Sequence, residues 1–240
     1  MNKWDKKAKN YSRYSEKKDR FENRIFNALL SLHIDFKNKT LLDIGCGTGV
    51  YTLHLAKKCL HVDGIDFSKE MLELLKEDAK TLGISNIKTE VTTWSNFMIT
   101  SKYDISLCTM SPALNNKEDF EKMDNCSKTK IYLGWAGKRE STILSKMFEV
   151  HGSTYTPPNG AKKLQDWLNS NKKFYHIVPL EEKKVTKRDF NKAVENFEWH
   201  LEVRGLKPDK KKIKDVLKMF CDKDNFITET TINHFSLIVW

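Results

Sequence analysis

The chain has 240 residues, 39% hydrophobic and 11% aromatic, enough to bury one substantial core. No stretch approaches the roughly 18 to 20 apolar residues of a membrane-crossing helix, and the opening "MNKWDKKAKNYSRYSEKKDR" lacks the apolar centre of a secretory signal. Five scattered cysteines without a C-x-x-C pair argue against a disulfide framework or a zinc knuckle, so no metal is expected and a reducing cytoplasm is the simplest home.

The formal net charge is +10. A basic chain can carry an electrostatic footprint for nucleic acid. Here lysine far outnumbers arginine, the residue favoured for bidentate phosphate and guanine contacts. Only "KPDKKKIK" (Lys207 to Lys214) is a dense basic run. Nucleic acid therefore stays open as a partner, behind a small molecule.

In chain order, residues 1–36 form a helical cap. "TLLDIGC" is a short apolar strand of the kind buried on both faces of a parallel sheet. "GVYTLHLAKK" follows as a helix, then "LHVDGID" as a second strand. Ser68 caps a helix whose Met71, Leu72, Leu75, Ala79 and Leu82 repeat at helical spacing, and Gly83 ends it. "ISNIKTEV", "YDISLCTM" and "KIYLGWA" are strands three to five, with a helix through Ile143, Leu144, Met147 and Phe148 after the last. Strands alternating with helices imply right-handed crossovers and a parallel sheet covered on both faces.

Beyond Gly152 the rhythm changes. "AKKLQDWLNSNK" is a helix and "FYHIVPL" a strand. Thr186 is placed to cap a helix burying Phe190, Val194, Phe197 and Leu201, and Pro208 to start another through Ile213, Val216, Leu217 and Phe220. "TINHFSLIVW" closes the sheet. The expected architecture is a single α/β domain, residues 1–240: a doubly wound, mostly parallel, seven-stranded Rossmann-like sheet with helices on both faces. The cofactor core is 37–152. Residues 153–240 add the rest of the sheet and a helical insertion or lid at about 186–221.

The chemistry centres on "LLDIGCGTGVY", Leu41 to Tyr51. A dinucleotide fingerprint needs G-x-G-x-x-G, and its third glycine would fall on Val50; no G-K-[ST] follows to make a phosphate loop. Asp43 lies beside the turn, where it would repel a pyrophosphate and welcome a cation. Asp66 ends the second strand, roughly 20 residues on, where an acid accepts the hydroxyls of a ribose. A nucleoside with a positive charge and no phosphate is S-adenosylmethionine.

"LLDIGCGTG" with "VDGIDFSKEML" resembles the cofactor motifs of class I S-adenosylmethionine-dependent methyltransferases, most closely the small-molecule type of ubiquinone and menaquinone biosynthesis. "WDKKAKNYSRY" is similar to the tryptophan–tyrosine helix that often precedes such domains, and the resemblance runs from about Trp4 to Trp135. It implies a methyltransferase that turns S-adenosylmethionine into S-adenosylhomocysteine. Gly45, Cys46, Gly47 and Gly49 would approach the methionine part, Asp43 would bind that end, and Asp66 the ribose. Phe67 and Met71 would flank the adenine, although core packing accounts for both equally well. Tyr14 and Thr109 complete the expected cofactor set. Family members often carry an aspartate after strand three that binds the adenine amino group. "EVTTWSNF" has none, so Thr93 or a backbone group must substitute, with Trp94 nearby.

After strand four, "CTMSPAL" occupies the mouth of the sheet, where ligands of open α/β folds collect. Methyltransferases acting on exocyclic amines of bases carry [DNS]-P-P-[YF] there. "SPAL" lacks the second proline and the aromatic, which counts against a flipped base. Methyl transfer needs alignment and water exclusion above all, so no catalytic residue is named. Tyr11, Met110, Ser111, Trp135 and His200 are the candidate acceptor-side residues. Tyr14 and Tyr155 could join an aromatic wall, and His176 and His234 are further candidates. The expected enzyme acts on a small molecule as a monomer or homodimer, with an RNA or protein acceptor, or a cofactor-binding module without transfer activity, as the alternatives.

Overall fold

Short apolar runs bounded by turn residues build the centre of the sheet. In the computed structural model, which describes residues 3–17 and 20–240, β1 (Thr40–Ile44), β2 (His61–Asp66), β3 (Ile87–Val91), β4 (Tyr103–Thr109) and β5 (Ser127–Ser141) pair in parallel in the order β3-β2-β1-β4-β5. β6 (His176–Asp189) and β7 (Phe226–Val239) complete seven strands, with β7 between β5 and β6. Lys130 and Trp240 exchange both N–H···O bonds, at 2.9 and 3.1 Å, the signature of an antiparallel pair. The strand count, the parallel core and the α/β class are those the sequence pattern implies.

The nine described helices are α1 (Lys3–Ala8), α2 (Phe21–Ser31), α3 (Val50–Ala56), α4 (Lys69–Thr81), α5 (Lys117–Cys126), α6 (Leu144–Val150), α7 (Gly160–Ser170), α8 (Phe190–Val203) and α9 (Lys210–Lys218). α4 shows why they form. Ser68 accepts the Met71 N–H at 3.3 Å as its N-cap, and Met71, Leu72, Leu75 and Ala79 make one buried stripe. Leu72 and Leu75 pack with Cys46 and Ile87 on one side of the sheet. Phe120, Met123, Leu164 and Leu168, from α5 and α7, pack with Leu42, Ile44, Ile65 and Trp94 in a separate cluster. Truncating Leu75 to alanine would cost about 2–5 kcal/mol through lost burial and the cavity left behind.

The residues group into two compact units. The first holds 1–136, 159–179 and 235–240; the second holds 137–158 and 180–234. β5, β6 and β7 each contribute to both. The second unit has its own core, in which Leu144, Met147 and Phe148 of α6 meet Val194, Phe197 and Leu201 of α8 and Ile213 and Leu217 of α9.

Three local expectations change. Thr186 lies inside β6, and α8 is capped instead by Asp189, whose carboxylate accepts the Lys192 N–H at 3.0 Å. A carboxylate also complements the helix dipole better than a hydroxyl. α9 starts after Asp209, which accepts from both Lys211 and Lys212 N–H, rather than at Pro208. α5 has no counterpart in the sequence reading. Its stretch is mostly polar, and it is announced only by a capping box in which Asn116 and Asp119 bond reciprocally.

Candidate active site

The turn after β1 places Gly45, Gly47 and Gly49 at φ +71°, +55° and +79°, the left-handed region open to glycine. Gly45 is needed for close approach as well, because a Cβ there would lie 2.0 Å from Ser111 Oγ. A Cβ on Gly49 would strike Leu75 of α4 at 2.6 Å, so this glycine gives the tight packing that the dinucleotide pattern assigns to a glycine at position 50. A Cβ on Gly47 would meet nothing within 4 Å. That side of the turn is open space.

Two acids flank the turn. Asp66 Oδ2 accepts the Gly47 N–H at 2.9 Å and Oδ1 accepts the Ser68 N–H at 2.8 Å, which ties the turn to the start of α4. The Gly45 and Cys46 N–H groups both donate to the Ile65 carbonyl, at 2.8 and 3.0 Å. Burial raises the Asp66 pKa, against the pull of the backbone N–H groups of Ser68, Gly47 and Phe67. Asp43 is 1% exposed. Its Oδ2 accepts the Thr52 hydroxyl at 2.6 Å, while its buried Oδ1 has no hydrogen-bond partner. Burial pushes the Asp43 pKa up to about 7, and the charge of Asp66 adds to the rise. An orphaned buried carboxylate oxygen beside an open turn is the complement of a cationic group, so the residues fit the methionine end of S-adenosylmethionine.

The segment from Asp5 to Glu16 reaches this turn at Thr48, α4 at Ser68 and Asp78, and the end of α3 at Lys57. Ser68 donates to Asp5 at 2.6 Å, and the Thr48 hydroxyl donates to the Ser12 carbonyl at 2.6 Å. Arg13 forks onto Asp78 of α4 at 2.6 and 2.9 Å and reaches the Leu74 carbonyl. Lys57 donates to the Tyr14 hydroxyl and to Glu16. Tyr11 is 37% exposed as a residue. Desolvation of its hydroxyl, with the charge of Asp66, raises its pKa. α1 stops at Ala8, so both tyrosines sit on an irregular strap rather than on the expected helix.

On the nucleoside side, Phe67 is 40% exposed and Met71 is buried in α4. The Thr92 N–H donates to the Asp66 carbonyl at 3.0 Å, so the loop after β3 begins beside that acid. Thr93 is exposed and its hydroxyl pairs with Ser95 at 2.9 Å. Trp94 belongs to the core: it is 3% exposed and its Nε1 donates to the Asp119 carbonyl.

At the mouth of β4, Thr109 is half-buried and Met110 adopts φ +55°, a strained conformation for a side chain of this size. The Met110 N–H donates to the Leu133 carbonyl at 2.7 Å, which holds the strain in place. Ser111 therefore abuts Gly45. Trp135 packs on Phe235 at 4.7 Å. His200 lies on α8 in the second unit, beside Trp199, and Tyr155 packs there on Phe148. His234 is also in that unit, and the exposed His176 is in the first.

A family model for a methyltransferase domain matches residues 35–177, more than half of the chain. The chain belongs to this methyltransferase family. Its core is a class I S-adenosylmethionine-dependent methyltransferase domain. A putative protein N5-glutamine methyltransferase of Methanocaldococcus jannaschii is 34% identical over 139 residues, 56% of this chain and 62% of the relative. A 23S rRNA (uracil-C5)-methyltransferase of Photorhabdus laumondii is 30% identical over 78 residues, 32% of this chain and 21% of the relative. The chain thus spans less than two thirds of the length of the curated relatives it matches. The YcgJ protein of Bacillus subtilis has the same fold, with a TM-score of 0.57 at 14% identity, covering 91% of this chain and 97% of that one. Within the methyltransferase domain, no helix among the described residues is long and apolar enough to cross a membrane.

Proposed function

We propose that the protein transfers the methyl group of S-adenosylmethionine to a small-molecule acceptor. The observation that carries the cofactor part is the pair Asp43 and Asp66 on either side of a turn whose Gly47 faces open space. When bound, the cofactor supplies an electrophilic methyl carbon on a sulfonium. Asp43 would hold the cationic end, and Asp66, whose carboxylate also fixes the turn, would accept from the ribose hydroxyls. Thr109, Met110 and Ser111 line the approach of the acceptor, with Tyr11 on the strap as a further contact.

The acceptor part rests on the loop after β4. Leu114 stands where the [DNS]-P-P-[YF] pattern of exocyclic-amine methyltransferases carries an aromatic ring, and it is 3% exposed, with Ala113 packed on the core. The loop therefore offers no stacking platform for a planar base or amide. Alignment of the reacting atoms supplies the rate, and up to roughly 7–11 kcal/mol is available from orientation alone. The relative named as a protein glutamine methyltransferase favours a second reading, a protein acceptor.

Incubating the protein with methyl-labelled S-adenosylmethionine and cell extract tests both. Label in the low-molecular-weight fraction supports the proposal. Label confined to protein or RNA overturns the small-molecule acceptor.

A further inference from the structure

The loop from Thr92 to Lys102 has neither helix nor strand, and Thr93, Ser95 and Asn96 are exposed. Trp94 and Phe97, each under 10% exposed, and the partly buried Ile99 anchor it to the core. Its backbone closes one turn of its own, with the Asn96 and Phe97 N–H groups on the Thr93 carbonyl at 3.1 and 3.0 Å, and it is also held from outside. Lys122, in the middle of α5, donates to the carbonyls of Trp94, Ser95 and Phe97 at 2.5, 3.2 and 2.7 Å. Its ammonium also lies 4.6 Å from the centre of the Trp94 ring, whose Nε1 donates to Asp119 one turn earlier on the same helix.

An ammonium has three N–H donors, and here three loop carbonyls take them. Burial lowers the Lys122 pKa, so these dipoles and the ring stand in for water around the charge. A lysine in mid-helix has no role in capping α5. All three carbonyls belong to one short loop, the one that starts on the Asp66 carbonyl.

We propose that Lys122 is the positioning residue for the base of the cofactor: by drawing three carbonyls onto α5 it fixes the loop that reads the adenine. This rests on the cofactor reading above. With no acid after β3 to accept the adenine amino group, recognition falls to the backbone and Thr93, and backbone recognition requires a fixed backbone. Lys122 supplies that rigidity without touching the ligand.

Calorimetry on the full chain with S-adenosylhomocysteine and its inosine analogue, S-inosylhomocysteine, tests the idea. The unaltered protein is expected to prefer the adenine compound. Lys122→Met, which keeps the stem and removes the charge, should weaken S-adenosylhomocysteine about tenfold or more and leave the analogue nearly unchanged, so that the preference collapses. Lys122→Gln, able to bond one or two of the carbonyls, should fall between and serves if the Met variant melts early. Equal weakening of both ligands, or an unchanged preference in both variants, overturns the role of Lys122. Loss of S-adenosylhomocysteine binding in Asp66→Ala with normal preference in Lys122→Met overturns Lys122 alone. No binding by the unaltered protein overturns the cofactor reading and this inference with it.

Discussion

Asp66 Oδ2 accepts the Gly47 N–H at 2.9 Å, so the acid at the end of β2 and the middle glycine of the turn after β1 form one unit. The same carboxylate holds Ser68 at the start of α4. Losing it removes both ties as well as the ribose acceptor. Hydrogen bonds to a charged acceptor are worth about 1.5–3 kcal/mol each. Asp66→Ala should weaken S-adenosylhomocysteine at least tenfold by calorimetry. Unaffected binding would remove Asp66 from the site.

Asp43 makes the site sensitive to pH. Its pKa rises on folding from an ordinary 3.8 to about 7, so the folded state holds its proton more tightly than the unfolded chain. The associated stability is fully present below about pH 4 and is lost as pH rises through about 7. The loss is on the order of 4 kcal/mol. Asp43→Asn should show no such loss, so its melting temperature should gain on that of the unaltered protein from pH 4 to 8. The ionised acid favours the α-ammonium that S-adenosylmethionine and S-adenosylhomocysteine share, so the affinity of both should rise with pH through about 7, more steeply for S-adenosylmethionine, whose sulfonium adds a second positive charge. Affinities independent of pH for both ligands would contradict the assignment.

The three glycines should separate on mutation. Gly47→Ala meets no neighbour and pays only backbone strain, about 1–2 kcal/mol, but its methyl enters the open space kept for the cofactor. Cofactor binding should disappear while the fold persists. Gly45→Ala collides with Ser111, and Ser111→Gly in the same chain should recover part of the stability, leaving the strain of φ +71°. Thermal melts of the two single variants and the double variant give the coupling.

Arg13 latches the strap onto α4 through Asp78. Both partners are partly solvent-exposed, at 39% and 21%, so the ion pair itself contributes no more than about 1 kcal/mol to stability. Because the strap lies on the turn through Ser12 and Thr48, Arg13→Ala should speed cofactor dissociation several-fold in stopped-flow displacement with little change in melting temperature. An unchanged off-rate would leave the strap as packing only.

Much of this was legible in local pattern. β1 and β2 announce themselves as apolar runs, Ser68 as a cap, and Asp43, Asp66 and the glycines by their spacing. α5 escaped because its apolar positions are few and its capping box lies in a polar run. Thr186 and Pro208 match the local pattern of helix starts, and the competing acids, Asp189 and Asp209, show their advantage only when the helix N–H groups are in place.

By itself the sequence determined the α/β class, the turn and the two acids beside it, because period, glycine and charge act over a few residues. Tertiary structure alone decided that Gly49 packs on Leu75, that Trp94 is core, that Thr48 in the turn bonds the Ser12 carbonyl, and that Lys122 holds a loop at least 25 positions away in the chain. Those contacts are set by close packing and by the need to satisfy buried polar groups, and neither has a short-range signature in the chain.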